Sequence, residues 1–364
     1  MYSFTPTEEQ QMLIDAVRRY AEQDLRPAAR EADEKSEFPP GLIEKGWELG
    51  ILQASIPEEF DGFGDYSALT GVLAAEIMAY GDLSSTFAVM TPNLFALPIL
   101  FSGSEDQKKE YLPAVIAAEW KPFTAAMVEP YFNFDPGELA TIAVLKGDSY
   151  LISGEKTYVP FAQKAEMILT YANLDGETQG FLISRDTKGV SIGERQKTLG
   201  IHACPLYPVT FDKVKIPLNQ RLNGAEGHDQ KSILASYQVA LAAMAVGVAQ
   251  AAFEYARDYA KEREVFGVKV AQKQAIAFMI AEMGIEIEAN RLLAWEAAWM
   301  IDEGKEEAGR HAYLAYNGAI DMVMMVTDQA VQILGGHGYI REHPVEMWMR
   351  NGRGFAAFTG LAMV

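Results

Sequence analysis

The chain has 364 residues, 49% of them hydrophobic and 22% charged, a globular balance with enough length for two or three domains. Its formal net charge of -19 argues against nucleic acid and anionic membranes as partners, because such a surface repels phosphate. A phosphate-bearing small molecule is still allowed, since a few local Arg or Lys residues can hold one.

The N-terminus, MYSFTPTEEQQM, has no basic region followed by an apolar one, so no signal peptide is expected. Residues 1–120 are expected to form a helical domain. Thr7 with Gln10 fits a capping box behind Pro6, and Met12, Leu13, Val17, Tyr20 and Ala21 recur at helical spacing. Pro39 and Pro40 break the pattern, IPEEFDGFGDY (56–66) reads as a loop, and further helix follows in AAEIMAYGDLSSTFAVM and QKKEYLPAVIAAEW. Residues 121–222 switch to short β-rich runs separated by turn residues, including FTAAMV, ATIAVL, SYLISG, MILTYA, GFLIS and VTFDKVKIP. Gly147-Asp148 between two runs suggests a hairpin, and the whole suggests a small antiparallel β domain.

Residues 223–364 return to helix. Three long helices are expected, from about Ser232 to Glu264, up to about Gly304, and from about Glu306 to Leu334, joined by short connections as in a four-helix bundle. The apolar run at 239–253 is short for a membrane span and rich in alanine, so a buried helix is expected. The fold class is therefore α+β, mostly α. The five histidines form no HExxH and there is no paired cysteine, so no metal site is indicated. Cys204, the single cysteine, excludes an intrachain disulfide and suits a reducing compartment, here the cytoplasm.

Gly335 and Gly336 stop the third long helix, and WMRNGRGF (348–355) follows a polar turn. A helix cap and loop would account for the glycines alone. Other segments add to them: IPEEFDGFG (56–64), GSEDQKKEYLP (103–113), MVEP (127–130), KTLGI with VTFDKVKIP (197–217), EREVFG (262–267) with Gln274, and QILGGHGY (332–339). In this order they resemble the flavin-dependent acyl-CoA dehydrogenases over nearly the whole chain. The resemblance implies FAD at a subunit interface and an acyl-CoA thioester oxidised at its CH–CH bond, with an electron-transfer flavoprotein as redox partner. It also implies a homo-oligomer, dimer or tetramer. It assigns Arg263, Phe266, Gln274, Gln332, Gly335 and Gly336 to the nucleotide half of FAD, and Met127, Val128 and Tyr158 to the ring side.

The chain departs from the family pattern near the ring. Pro160 stands where a threonine usually supplies donors, Phe134 where a serine is usual, Val128 for threonine, and Leu361 for a threonine that helps hold the cofactor. At the position of the family's catalytic glutamate stands Thr359, whose hydroxyl is no base near neutral pH, although its backbone N–H remains. Some relatives carry the base on the long helix after the strand domain, at about Tyr237 here, where Gln238 replaces an expected arginine. Two functions follow: a flavoprotein with a relocated base or a reaction needing none, or a non-catalytic partner subunit or acyl-CoA- or flavin-binding protein in a hetero-oligomer with a related chain. A degenerate stand-alone protein is the third reading.

Overall fold

The computed structural model describes residues 6–364, so the first five residues of the expected helical domain lie outside the described residues. Helix α1 (Glu8–Tyr20) opens on the expected box: Thr7 Oγ1 accepts the Gln10 N–H, and Gln10 Oε1 accepts the Thr7 N–H. Two otherwise orphaned donors are thereby satisfied. α1 runs through a π turn at Ala21–Leu25 into α2 (Arg26–Lys35). Pro27 has no N–H for the carbonyl four residues back, and the widened turn accommodates that loss. α3 (Leu42–Trp47), α4 (Ala68–Gly81), α5 (Leu83–Val89), α6 (Asn93–Ser102) and α7 (Glu105–Val115) complete this region. The loop at 56–66 is aperiodic apart from one 3-10 turn, Glu58–Phe60. Asp61 sits there at φ +64, a left-handed conformation that Asp tolerates better than most residues.

The middle region folds β1 (Thr124–Ala126), β2 (Ile142–Lys146), β3 (Ser149–Pro160), β4 (Met167–Leu174), β5 (Glu177–Ser184), β6 (Val190–Ile192) and β7 (Leu206–Pro217) into one sheet. The strand order is β1-β4-β2-β3-β7-β6, with β5 on β4. Lys146 faces Ser149 across the expected two-residue hairpin, with Gly147 at φ +63. The expectation of an antiparallel sheet needs one correction: β1 pairs with β4 in parallel, and β2 meets β4 in parallel at Ile142 and Asn173. The connection 127–141 and the β2–β3 hairpin return the chain in its original direction. The β3–β7 ladder is interrupted between Lys156 and Val159, and Tyr158 sits in that bulge at φ +53.

The C-terminal region holds α8 (Gln230–Glu262), α9 (Gln274–Asp302), α10 (Ala308–Leu334) and the short α11 (Val345–Arg353). Strands β8 (Glu264–Val265) and β9 (Val268–Lys269) form a small hairpin between α8 and α9. The bundle is thus three long helices with a short fourth, and α4 packs on α8 as well. The small residues of α8 permit that contact: a Cβ added at Gly247 would lie 2.1 Å from the Glu76 carbonyl oxygen on α4. Asp302, at the end of α9, accepts the N–H groups of Ala68 (2.6 Å) and Leu69 (3.1 Å) and so caps α4 from across the interface. α8 is long and apolar enough to cross a membrane, but 83% of its most apolar window is buried within the protein.

Candidate functional site

Three groups of residues converge around the end of β1, the bulge of β3 and the loop after α11. Met127 and Val128 follow β1 and are buried. The Val128 carbonyl accepts the N–H of Thr157 at 2.8 Å, which ties this segment to β3 beside Tyr158. Behind them lies an ion pair, Lys156 with Glu129 at 2.9 Å, with side-chain exposures of 0% and 2%. Glu129 also accepts the N–H groups of Ala140 (2.7 Å) and Thr141 (2.8 Å), and Lys156 donates to the Met127 carbonyl at 3.0 Å. Burial lowers the Lys156 pKa to about 8, against the pull of Glu129. Burial pushes the Glu129 carboxyl up, but Lys156 and its other hydrogen-bond partners outweigh it and hold the group below the usual carboxylate range. Both groups are charged at neutral pH, and together they brace the strands that present Met127, Val128 and Tyr158.

Tyr158 lines a cavity of about 260 Å³ with Lys197, Leu199, Ile201, Arg353 and Leu361 among its walls. Bulges re-aim side chains, and the one at Tyr158 points its ring at this cavity. The opposite wall is held by α11. Arg350 is bonded to both Asp33 oxygens (2.6 and 3.1 Å), to Glu346 (2.8 Å) and to the Leu199 carbonyl (3.1 Å), while Asn351 accepts the Ile201 N–H at 2.8 Å. Pro160 pairs with Leu206 in the ladder and brings no polar hydrogen. Phe134 is half-buried against the apolar cluster that contains Met127.

Thr359 is half-buried on the loop after α11. Its hydroxyl lies 3.3 Å from the Tyr316 hydroxyl on α10. Tyr316 donates its own proton to the Phe355 carbonyl at 2.7 Å, so Thr359 is the donor to Tyr316. The threonine hydroxyl is therefore turned to α10 as a donor, not left free to take a proton. Tyr237 is fully buried on α8, and burial raises its pKa. That shift is opposite to what a relocated base requires.

The remaining predicted residues lie at the far end of the bundle. Arg263 caps α8, Phe266 is 94% exposed at φ +56 in the β8–β9 turn, and Gln274 opens α9. Gln332 is on the last turn of α10; Gly335 ends the helix at φ +58, and Gly336 follows in a 3-10 turn. The ends of α8 and α10 are joined by Tyr259 and His337, whose hydroxyl and Nδ1 are 2.8 Å apart. A Cβ added at Gly267, Gly335 or Gly336 would meet nothing within 4 Å. Among the described residues, no group of three or more His, Cys, Asp or Glu could hold a metal ion.

The structure does not bring the two sets of residues together within one chain. Ser236, on α8, reaches the loop after Thr359 through the Val364 carbonyl. Arg263 is 27 residues further along α8 (263 − 236), about 40 Å at 1.5 Å per residue. Sequence reasoning missed Glu129, Lys156 and Tyr316. A Lys and a Glu separated by a long connection look like any surface pair until the sheet buries them. Tyr316 carries only the ordinary helical spacing of α10.

Comparison with known proteins bears on what this arrangement is. The family models for the N-terminal, middle and C-terminal domains of acyl-CoA dehydrogenases match residues 7–119, 124–214 and 229–362, in that order. The caffeyl-CoA reductase-Etf complex subunit CarC of Acetobacterium woodii is 32% identical, over 98% of this chain and 96% of its own length. The mitochondrial short-chain specific acyl-CoA dehydrogenase of Bos taurus is 34% identical over 95% of this chain and 85% of its own. Among solved structures, butyryl-CoA dehydrogenase from Megasphaera elsdenii superposes with a TM-score of 0.89 at 30% identity, covering 99% of this chain and 96% of that one. With three domain models matched in order and near-complete coverage of relatives above 30% identity, the chain belongs to the acyl-CoA dehydrogenase family.

Proposed function

We propose that this chain is an FAD-binding oxidoreductase acting on the CH–CH bond beside an acyl-CoA thioester carbonyl, in exchange with an electron-transfer flavoprotein, in the cytoplasm. The observation that carries the reading is the ordered match of all three family domains across residues 7–362. The name of the Acetobacterium relative, a subunit of a reductase–Etf complex, supports the redox partner.

The residues present fit FAD in two halves. The open glycine backbone at 335–336, the exposed Arg263 guanidinium and the exposed Phe266 ring suit a nucleotide: a fork of donors for phosphate and an aromatic face for adenine. The cavity beside Tyr158 suits the ring, with an aromatic wall, apolar side chains and the cations Lys197 and Arg353. Pro160, Val128 and Leu361 remove side-chain donors there, so backbone groups and Tyr158 carry more of the ring's recognition. Along α10, Gln332 lies 16 residues (332 − 316) beyond Tyr316, the contact of Thr359, a span of about 24 Å. With Arg263 and Phe266 exposed to solvent at that end of the bundle, we assign the nucleotide half of the site to a second copy of this chain. Phe278, Ile285 and Leu292, at 60%, 67% and 41% exposure, repeat every seven residues along α9 and form an apolar stripe for that second copy to cover.

Bound FAD supplies the hydride acceptor. What the chain contributes is placement. By the family resemblance the Thr359 backbone N–H is the group that polarises a thioester carbonyl, and Tyr158 walls the ring cavity. No carboxylate stands at 359, and the Thr359 hydroxyl is engaged with Tyr316. That observation favours, as a second reading, a subunit that binds ligand and leaves proton abstraction to a related partner chain. A flavin absorbance spectrum of the purified protein followed by acyl-CoA titration separates the two. A yellow protein whose spectrum responds to acyl-CoA supports the first. A colourless protein, or one that responds only when mixed with a related subunit, supports the second.

A further inference from the structure

We propose that the turn 197–201, with Arg195 and Arg353 beside it, is a docking surface for an acidic patch on the electron-transfer flavoprotein. The proposal rests on the redox-partner reading above. Leu199 is 62% exposed, yet the backbone around it is held from both sides. Arg350 donates to the Leu199 carbonyl at 3.1 Å, and Thr198 Oγ1 donates to the Gly200 carbonyl at 2.6 Å. A Cβ added at Gly200 would lie 2.6 Å from the Arg350 carbonyl oxygen, so the turn sits directly on α11. Ile201 follows at φ +49, a strained conformation for a β-branched residue, with its N–H held by Asn351 at 2.8 Å. Strain of this kind persists where the surroundings fix the backbone, and it clusters at ligand clamps. A single exposed leucine is ordinary on any surface. Presented on a braced and strained turn, at the wall of the ring cavity, Leu199 is a preorganised apolar anchor.

Cations without carboxylate partners surround this anchor. Lys197 and Arg353 are exposed and line the ring cavity together with Leu199. Neither has a carboxylate partner among the described residues, and Arg353 reaches only the Met324 sulfur. Lys197 and Thr198 also line a second cavity, of about 410 Å³, which Arg195 walls on its other side. Arg195 donates to the carbonyls of Ser36, His202 and Ala203, none of which neutralises it. No acidic residue lines either cavity, and the nearby Asp33 is engaged with Arg350 and His202. Three uncompensated positive charges therefore ring one apolar side chain, in a protein of net charge -19. With its N–H groups occupied by carbonyls, Arg195 adds field rather than a fork of donors for phosphate. An apolar anchor inside a charged rim is the anatomy of a protein interface. Electron transfer falls off steeply with distance, so a redox partner has to meet the chain at a wall of the ring cavity. A partner seated on this wall needs an acidic surface to match the rim.

The test measures association of the purified Etf of the Acetobacterium complex with the flavin-loaded protein by surface plasmon resonance. Wild type is compared with Lys197→Gln/Arg353→Gln and with Lys197→Glu/Arg353→Glu. Both residues also line the ring cavity, so flavin content is matched by absorbance before each run. Association should slow roughly ten-fold or more in the charge-reversed variant and by less in the neutral one. Carbodiimide coupling of the wild-type complex adds a second readout, since it should join the Lys197 amine to a carboxylate of the Etf, located by mass spectrometry. If the charge-reversed variant does not hold flavin, this coupling and the neutral variant decide. Equal association in all three proteins, or coupling that leaves Lys197 unmodified, overturns the proposal while the redox-partner reading stands. Weakened acyl-CoA binding with unchanged Etf association also overturns it, and assigns the cations to the phosphates of CoA. If the wild type does not bind the Etf at all, the redox-partner reading and the docking surface fail together.

Discussion

Replacing Glu129 with Gln should destabilise the protein more than almost any other single change in the middle region. The carboxylate holds Lys156 at 2.9 Å and two backbone N–H groups at 2.7 and 2.8 Å, inside the protein. The variant keeps one amide oxygen that can accept from Lys156, but it removes the charge opposite a buried ammonium and turns an NH2 group toward a backbone N–H that the carboxylate accepted. Breaking a buried ion pair from one side costs about 3–5 kcal/mol. A protein of ordinary stability has about 5–15 kcal/mol in total. Urea unfolding followed by tryptophan fluorescence should therefore show a large fall in the midpoint. Replacing both partners, as Glu129→Leu with Lys156→Met, should cost less than the single change, because no charge is then left unpaired. The damage should also reach the site, since Val128 is tied to Thr157 directly in front of the pair. A loss below about 1 kcal/mol for Glu129→Gln would mean instead that the pair is solvated or readily replaced.

The same carboxylate has a pH signature. Its folded pKa lies below the usual range while the unfolded value is near 4.3, so the unfolded state takes up the proton first as pH falls. Its stabilisation is complete above the unfolded pKa and is lost as pH falls through the folded one; Glu129→Gln should flatten that part of an acid-unfolding curve. Arg263→Ala should weaken FAD retention measurably by equilibrium dialysis, and unchanged affinity would remove Arg263 from the nucleotide site. Asp302→Ala removes the acceptor for two N–H groups at the start of α4 and should cost about 1 kcal/mol, with a range of about 0.5–2, in thermal or urea unfolding. Phe278→Glu with Ile285→Glu should shift the protein toward monomer in sedimentation and release flavin at the same time, as expected if a second copy completes the site.

Much of the architecture was legible where local chemistry and global fold agree. The Thr7–Gln10 box, the Gly147–Asp148 hairpin, the domain order and the tight packing of α8 each follow from a few residues whose physical preferences are strong. The parallel β1–β4 pairing was not legible, because strand direction depends on how the long connection 127–141 returns. Strand β6, three residues with a half-exposed pattern, carries too little periodicity to be seen. At the site, motif order pointed to Thr359 and Tyr158, but not to what surrounds them. The bond from Thr359 to Tyr316 joins the loop after α11 to α10, and the burial of Lys156 depends on sheet register. LAMV is an apolar run too short for any period, so its place inside the protein emerges only from contacts with α4, α6 and α8.

The proposed site is built around Thr359, whose hydroxyl donates to Tyr316. Single-turnover bleaching of bound flavin by a panel of saturated acyl-CoAs, in wild type and Thr359→Glu, tests it most directly. General-base assistance is worth about 10²–10⁴-fold. Bleaching should be slow or absent in the wild type and rise strongly in the variant, with flavin and acyl-CoA bound in both. Fast bleaching by the wild type would contradict it, because a base would then be acting from some residue other than Thr359.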